Sequence, residues 1–97
     1  MRIVTFAIIK EYVSKQSDAD KALREWYKKT EKSEWRCFAD IKQSFNSVDS
    51  VGNNRFVFNI KGNDYRLVAI IIFASQKVYI RFVGTHKAYD KIDCQNI

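Results

Sequence analysis

The sequence predicts an α+β fold in which N-terminal helices pack on one face of a mainly antiparallel sheet and a short helix follows the last strand. Apolar residues recur at helical spacing in the first half of the chain, and three strand-like runs separated by tight turns occupy residues 55–84. The chain has 97 residues, of which 46% are hydrophobic and 14% aromatic. This length and this hydrophobic fraction are sufficient for one hydrophobic core, so we expect a single domain over residues 1–97.

The first half is predicted to be mostly helical. The expected elements are a strand at 2–4, helices at 5–15, 17–30 and 37–45, and a polar loop with a short strand piece at 46–54. Thr5 is the expected N-cap of the first helix, and Ser17-Asp18-Ala19-Asp20 resembles a capping box at the start of the second.

The second half is predicted to form a three-stranded antiparallel meander. We expect strands at 55–61, 64–73 and 77–84, and a helix over 86–92 that is capped by Thr85. A two-residue turn at Gly62-Asn63 places Asn59 opposite Arg66. A turn at Ser75-Gln76 places Ile70 opposite Arg81, and Arg66 opposite Thr85.

This register assigns the strand side chains to two faces of the sheet. One face is an apolar core that consists of Phe56, Phe58, Ile60, Tyr65, Leu67, Ile71, Phe73, Val78, Ile80 and Phe82. The other face carries Arg55, Asn59, Arg66, Tyr79, Arg81 and Thr85 around Val57, Val68, Ile70, Ile72 and Val83. Arg55 and Arg81 are expected to flank Ile70. His86 and Tyr89 are three residues apart on the closing helix, so both are expected to face the corner near Arg66.

The net charge of +6 is concentrated in the second half of the chain. Residues 10–42 contain nine Lys or Arg and seven Asp or Glu, whereas residues 55–91 contain seven Lys or Arg and only two Asp. The first segment is typical of a mixed, solvated helical surface. The second indicates a surface that binds a polyanion.

Several classes of protein are excluded by composition. No apolar run approaches the roughly 18–20 residues that span a bilayer, and the N-terminal segment lacks the pattern of a secretory signal. We therefore expect a cytoplasmic protein without membrane contact. Its two cysteines, Cys37 and Cys94, are expected to be free thiols, and no Cys/His cluster has the spacing of a metal site.

The predicted basic corner has the parts that metal-free RNA cleavage requires. A base must remove the 2′-OH proton, an acid must protonate the departing 5′-oxygen, and cations must hold the charge on the phosphorus. His86 is suited to either proton transfer, and Arg66 and Arg81 to bidentate phosphate binding. Arg55, Lys61 and Lys87 are candidates for contact with the RNA backbone, and Tyr79 or Tyr89 for stacking or proton donation. From chemistry alone, a basic α+β domain that binds nucleic acid is favoured over a ribonuclease.

Several short segments resemble the HigB toxin family within the RelE-like superfamily of bacterial mRNA interferases. They are Val57-Phe58-Asn59-Ile60, Gly62-Asn63, Tyr65-Arg66-Leu67-Val68, Val78-Tyr79-Ile80-Arg81 and Thr85-His86-Lys87-Ala88-Tyr89-Asp90, with Trp35, Phe38, Asp40, Ile41 and Lys42 upstream. The resemblance implies a small RelE-like domain and a toxin of a type II toxin–antitoxin pair. Such a toxin cuts mRNA on the translating ribosome without metal or other cofactor.

The resemblance also implies partners and roles. A HigA-like helix-turn-helix antitoxin would neutralise the toxin and would bring it to operator DNA only indirectly. Arg66, Arg81, His86 and Tyr89 are the implied catalytic residues, with Lys61 and Asp90 as weaker candidates. Arg66 and Arg81 are assigned to phosphate and transition-state binding, and the roles of base and acid stay open between His86 and Tyr89. The alternatives are a non-catalytic regulatory protein that acts through its antitoxin complex, and a ribonuclease that needs no ribosome.

Overall fold

Five strands form one sheet in the computed structural model, which describes all residues from Met1 to Ile97. The strands are β1 (Arg2–Ile3), β2 (Val48–Gly52), β3 (Arg55–Ile60), β4 (Tyr65–Ile72) and β5 (Lys77–Thr85). Their order is β1-β5-β4-β3-β2, and every pair is antiparallel except β1 with β5. The helices are α1 (Phe6–Lys15), α2 (Asp20–Glu31), α3 (Phe38–Ser44) and α4 (His86–Tyr89), with a 3-10 turn at Ser17–Ala19 before α2. The predicted α+β class is confirmed.

The hydrophobic core lies between one face of the sheet and helices α1 to α3. Trp26 and Trp35 are each 2% exposed and pack against Phe58. Phe38 and Phe45 complete the aromatic cluster from partly buried positions. Aromatic side chains each bury a large apolar area, which is how so short a chain fills a core. The structure contains no helix with the length and apolarity needed to cross a membrane.

Two predicted helix caps are wrong. The Thr5 hydroxyl does not cap α1; it donates to the carbonyl of Ile80 at 3.0 Å and accepts from the amide of the same residue. The predicted capping box of Ser17 and Asp20 does not form, since Ser17 begins a 3-10 turn and the Asp20 carboxylate accepts a hydrogen bond from Arg24 at 2.7 Å. In both cases another hydrogen-bond partner replaces the backbone amide at the start of the helix.

The register of the first hairpin is as predicted, with Asn59 opposite Arg66 and Arg55 opposite Ile70. The turn itself is longer than expected, since Ile60 pairs directly with Tyr65. The four residues between them include Lys61 and Gly62 at positive φ. A four-residue loop centred on Gly62-Asn63 keeps the register of the predicted two-residue loop.

The predicted register of the second hairpin is wrong. Ile72 pairs with Lys77 and Ile70 with Tyr79, and a bulge at Arg81 then shifts the ladder so that Arg66 pairs with Gly84. Arg81 therefore does not lie opposite Ile70, and Thr85 pairs with Tyr65. A bulge adds one residue to one strand and reverses the faces of the residues beyond it.

The bulge exchanges two side chains between the faces of the sheet. Val83 is 8% exposed within the core, where Phe82 was expected, and Phe82 lies on the opposite face beside Val68. On that face, Val57 and Val68 are also buried, outside the main core. The C-terminal residues approach β3 on this side, where Asn53 donates to the carbonyl of Gln95 and Arg55 to an oxygen of Ile97.

Candidate functional site at the Arg66 corner

Arg66 and α4 are brought together by the end of β5. Arg66 lies on β4 opposite Gly84, one residue before Thr85. The Thr85 hydroxyl accepts a hydrogen bond from the backbone amide of Ala88 at 3.2 Å, so the predicted N-cap of α4 is confirmed. The helix ends at Tyr89, and further turns follow it. Because His86 and Tyr89 are one helical turn apart, both point to the same side.

Three side chains meet at this corner, which we call the Arg66 corner (Arg66, His86 and Tyr89). A terminal nitrogen of the Arg66 guanidinium lies 2.8 Å from Nε2 of His86. The guanidinium carbon lies 4.8 Å from the centre of the Tyr89 ring, the geometry of a cation–π contact. Arg66 is half-buried, and its Nε has no hydrogen-bond partner. The structure thus brings together three of the four predicted catalytic residues.

The contacts of His86 define the tautomer of its ring. Arginine has only donors, so Nε2 of His86 must accept the hydrogen bond from Arg66. The ring proton then resides on Nδ1, which lies 3.4 Å from a carboxylate oxygen of Asp90. About half of the His86 side chain is exposed, so the imidazole is accessible from solvent.

Tyr89 is held from its other end by Cys94. The phenol donates to Sγ of Cys94 at 3.3 Å, and the tyrosine is half-buried. Burial, together with the Cys94 contact, raises the pKa of Tyr89 to about 12 despite the nearby Arg66 charge. The phenol therefore keeps its proton throughout the neutral range and is a proton donor there, not a base.

Arg81 stands apart from these three residues. It is exposed at the bulge of β5 and forms no hydrogen bond or ion pair. Its guanidinium is free to bind an anion. The expected row in which Arg55 and Arg81 flank Ile70 does not exist.

The four predicted RNA-binding residues are dispersed. Arg55 donates to an oxygen of Ile97 at 2.6 Å and to the Asn53 carbonyl at 2.9 Å, so it holds the C-terminal segment. Lys61 lies 3.3 Å from Asp18, on the helical side of the sheet. Tyr79 lies on the same face of the sheet as Arg66, but it pairs with Ile70. Ile70 is four residues from Arg66 on β4, which corresponds to about 13 Å along the strand. Lys87 is exposed in α4, next to His86.

Sequence reasoning missed three contacts around these residues. Asp18 accepts hydrogen bonds from Tyr65 at 2.6 Å and from Lys61, and these contacts lower the pKa of its carboxyl group. Cys94 was considered only as a free thiol, and Phe82 only as a core residue. The hydrogen bonds of Asp18, the contact of Cys94 with Tyr89 and the position of Phe82 all depend on tertiary neighbours that no local pattern in the sequence identifies.

The Arg66 corner is an open surface. The largest surface cleft, about 570 Å³, is lined by residues of the β4–β5 turn and the N-terminus, at the other end of β4. Neither this cleft nor any other is lined by Arg66, His86 or Tyr89. An open basic surface with an imidazole and a phenol suits a polymeric anion better than an enclosed small molecule.

The fold and this corner define a class of protein, a small basic α+β domain with an Arg-His-Tyr cluster beside the last strand of its sheet. The chain belongs to the HigB toxin family, described as the RelE-like toxic component of a toxin–antitoxin system, whose family model matches residues 19–92. The match includes β2 to β5, α4 and the whole Arg66 corner.

Individual relatives carry the same family name. Over 52 residues, the chain is 48% identical to the mRNA interferase toxin HigB of Escherichia coli (strain K12), a stretch that is 52% of this chain and 50% of that protein. The same figures hold for the mRNA interferase HigB of Shigella flexneri. These alignments span about half the length of the relatives. The mRNA interferase HigB of Escherichia coli O6:H1 is 23% identical over 94 residues, 95% of this chain and 91% of that protein.

Proposed function

We propose that this chain is an mRNA interferase, an endoribonuclease toxin that cleaves mRNA and thereby stops translation. The observation that carries the proposal is the contact of Arg66 with both His86 and Tyr89 on the basic part of the chain. Membership of the HigB toxin family supports it, and so do the relatives that are named mRNA interferases.

The proposed reaction is transesterification within the RNA. The ribose 2′-oxygen loses its proton and attacks the adjacent phosphorus, and the bond from phosphorus to the 5′-oxygen of the next nucleotide breaks. That oxygen takes up a proton and leaves as a 5′-hydroxyl, while the other product ends in a 2′,3′-cyclic phosphate. No oxidant, reductant or second substrate is consumed.

The geometry supports His86 as the base and Tyr89 as the acid. Nε2 of His86 carries a lone pair, since it accepts from Arg66, and Asp90 lies beside the proton on Nδ1. The Tyr89 phenol is protonated in the neutral range and would donate to the leaving 5′-oxygen, because an alkoxide is a stronger base than a phenolate.

Arg66 would exchange partners when RNA binds. Its guanidinium now donates to His86, but a phosphate is the stronger acceptor because it carries a full negative charge. Transfer of Arg66 to the scissile phosphate would free Nε2 of His86 for the 2′-hydroxyl. Arg81, which has no partner, would add a second cation to the charge that develops on the phosphorus.

The proposal includes an antitoxin and the ribosome as partners. A toxin of this family requires a neutralising partner, which we propose is a small HigA-like helix-turn-helix protein. Operator DNA would be contacted only through it. We further propose that cleavage takes place in the cytoplasm on mRNA engaged by the ribosome, where the substrate is found.

Expression of single variants in bacteria tests the proposal. The parent chain should arrest growth and produce mRNA fragments with 5′-hydroxyl ends, whereas His86→Ala and Arg66→Ala should relieve the arrest and reduce cleavage by about 100-fold or more. Arg24→Ala is the matched control, because Arg24 is an exposed arginine on α2 that pairs with Asp20. This variant should still arrest growth.

Two outcomes would favour the alternatives. If neither variant relieves the arrest, or if the parent causes none, the chain is a non-catalytic nucleic-acid-binding or regulatory protein. If the purified chain cleaves naked RNA at low concentration with an efficiency equal to that on ribosomes, the ribosome is not a partner.

A further inference from the structure

Phe82 lies on the face of the sheet that the Arg66 corner occupies. Ile80 and Val83 both point into the core, with 0% and 8% exposure. Two successive residues between them, Arg81 and Phe82, therefore face away from it, which is the effect of the bulge. Phe82 is half-buried and is not among the side chains that pack against the core.

Gly84 allows the ring of Phe82 to lie along the strand. A Cβ atom at position 84 would stand 2.5 Å from Cζ of the ring and 3.1 Å from Cε2. The outer end of the ring thus lies directly above the glycine backbone. Gly84 pairs with Arg66, so this end of the ring is next to the arginine in the adjacent strand.

The backbone positions of Phe82 and Arg66 are close enough for one nucleotide to contact both side chains. Phe82 pairs with Val68, two residues along β4 from Arg66, which corresponds to about 7 Å. A phosphate held by Arg66 would leave its attached or neighbouring base within reach of the Phe82 ring. Unpaired RNA bases stack on aromatic rings that are accessible from solvent, next to cations that bind the backbone, and the half-buried ring of Phe82 has one accessible part.

We propose that Phe82 is the stacking platform for a nucleobase beside the phosphate held at the Arg66 corner, so that the site takes single-stranded RNA. This inference rests on the proposed function and deepens it, since it assigns a base-binding residue to a surface that otherwise contacts only phosphate and ribose. Stacking on a phenylalanine selects for an unpaired base and not for its identity.

Binding of a short 2′-O-methyl RNA oligonucleotide tests the proposal, because the modified RNA cannot be cleaved. Phe82→Leu keeps an apolar side chain but removes the ring, and it should weaken binding about tenfold, which corresponds to about 1.4 kcal/mol. Phe82→Trp should bind within about twofold of the parent. Phe73→Leu is the matched control, since Phe73 packs against Phe56 near the β4–β5 turn, and it should not change binding.

An abasic position stepped along the oligonucleotide separates stacking from a change in the scaffold. When the missing base is the one that would stack on Phe82, the parent and Phe82→Leu should bind the oligonucleotide with the same affinity. The proposal would be overturned if Phe82→Leu bound every oligonucleotide more weakly than the parent by the same factor, or if it bound none of them more weakly. If Phe82→Leu does not fold, quenching of the added indole in Phe82→Trp gives the answer, because only an intact base at that position should quench it.

The result is independent of cleavage. If Phe82→Leu binds like the parent while His86→Ala abolishes cleavage, only the stacking proposal fails. If base-dependent binding through Phe82 is found but no variant affects cleavage, only the nuclease proposal fails.

Discussion

At the scale of single residues, the imidazole of His86 lies between two partners of opposite charge. Arg66 donates to Nε2, and the carboxylate of Asp90 lies 3.4 Å from Nδ1. The two contacts select one tautomer and one ring orientation. Asp90 does not reach the proposed reaction centre, so it would act as a positioning residue through the imidazole.

Replacement of Asp90 tests that positioning role. Asp90→Asn should lower kcat of RNA cleavage by about tenfold and leave KM unchanged, a smaller effect than for a buried orienting carboxylate because Asp90 is exposed. Asp90→Glu should recover part of the activity. Asp93→Asn, whose carboxylate binds only Asn96 and Gln95, is the control and should cleave normally. A rise in KM without a change in kcat would instead assign Asp90 to RNA binding.

The hydrogen bond from Tyr65 to Asp18 predicts an alkaline change in stability. The Asp18 contact and burial raise the pKa of Tyr65 from 10.0 to about 12. A group with a raised folded-state pKa contributes stability that is complete below its unfolded value, and this contribution is lost as the pH rises from 10 to 12. Between pH 10 and 12, the urea midpoint of the parent should therefore fall more steeply than that of Tyr65→Phe. The difference between the two midpoints should become smaller as the pH rises. Tyr79→Phe, which removes a hydroxyl without a partner, should follow the parent; parallel curves for the parent and Tyr65→Phe would contradict the prediction.

At the scale of elements, the bulge in β5 and the glycine beyond it act together. The bulge turns Phe82 away from the core, and Gly84 leaves the space that its ring needs. A methyl group at position 84 would overlap the ring, which would have to move.

Gly84→Ala is therefore expected to lower the free energy of unfolding by about 1 kcal/mol, the low end of the usual cost of an added methyl group, because the half-buried ring can shift. Urea denaturation measures this cost. In a Phe82→Ala background the same substitution should cost much less, because the overlapping ring is gone. An unchanged cost in that background would locate the strain in the backbone and not in the ring.

The first hairpin was predictable because its register depends on the centre of a turn, and Gly62-Asn63 identifies that centre in the sequence. The second hairpin was not, since nothing in the residues around Arg81 indicates an extra residue in the strand. The two threonine caps show the same limit. Thr85 has only the amide of Ala88 as a partner, whereas Thr5 is next to β5 and binds Ile80 instead.

The predicted site was partly correct for a related reason. The meeting of Arg66, His86 and Tyr89 follows from strand order and helical spacing, both of which the sequence indicates. The predicted row of Arg55 and Arg81 on either side of Ile70 depended on the register between β4 and β5, and that predicted register was wrong. The approach of Cys94 to Tyr89 depends on the path of the chain after α4, which no periodic pattern describes.

At the scale of the whole molecule, positive charge is unevenly balanced along the chain. In residues 10–42, seven Asp or Glu accompany nine Lys or Arg, and Arg24 pairs with Asp20. In residues 55–91, only two Asp accompany seven Lys or Arg, and Arg81 and Lys87 are exposed without an acidic partner. The surface around the Arg66 corner therefore has the larger excess of positive charge and is the better site for a polyanion.

This difference predicts a salt dependence of RNA binding that is specific to one side. If Arg66, Arg81 and Lys87 each contact a phosphate of single-stranded RNA, a plot of the logarithm of the binding constant against the logarithm of salt concentration should have a slope of about −2. Arg81→Gln should reduce the magnitude of the slope by about 0.7 and weaken binding most at low salt. Arg24→Gln removes the same charge from the helical side, where its neighbour Asp20 already balances it, and should leave the slope unchanged. Equal slopes for both variants would mean that binding follows the net charge of the molecule, and the assignment of phosphate contact to Arg81 would then be wrong.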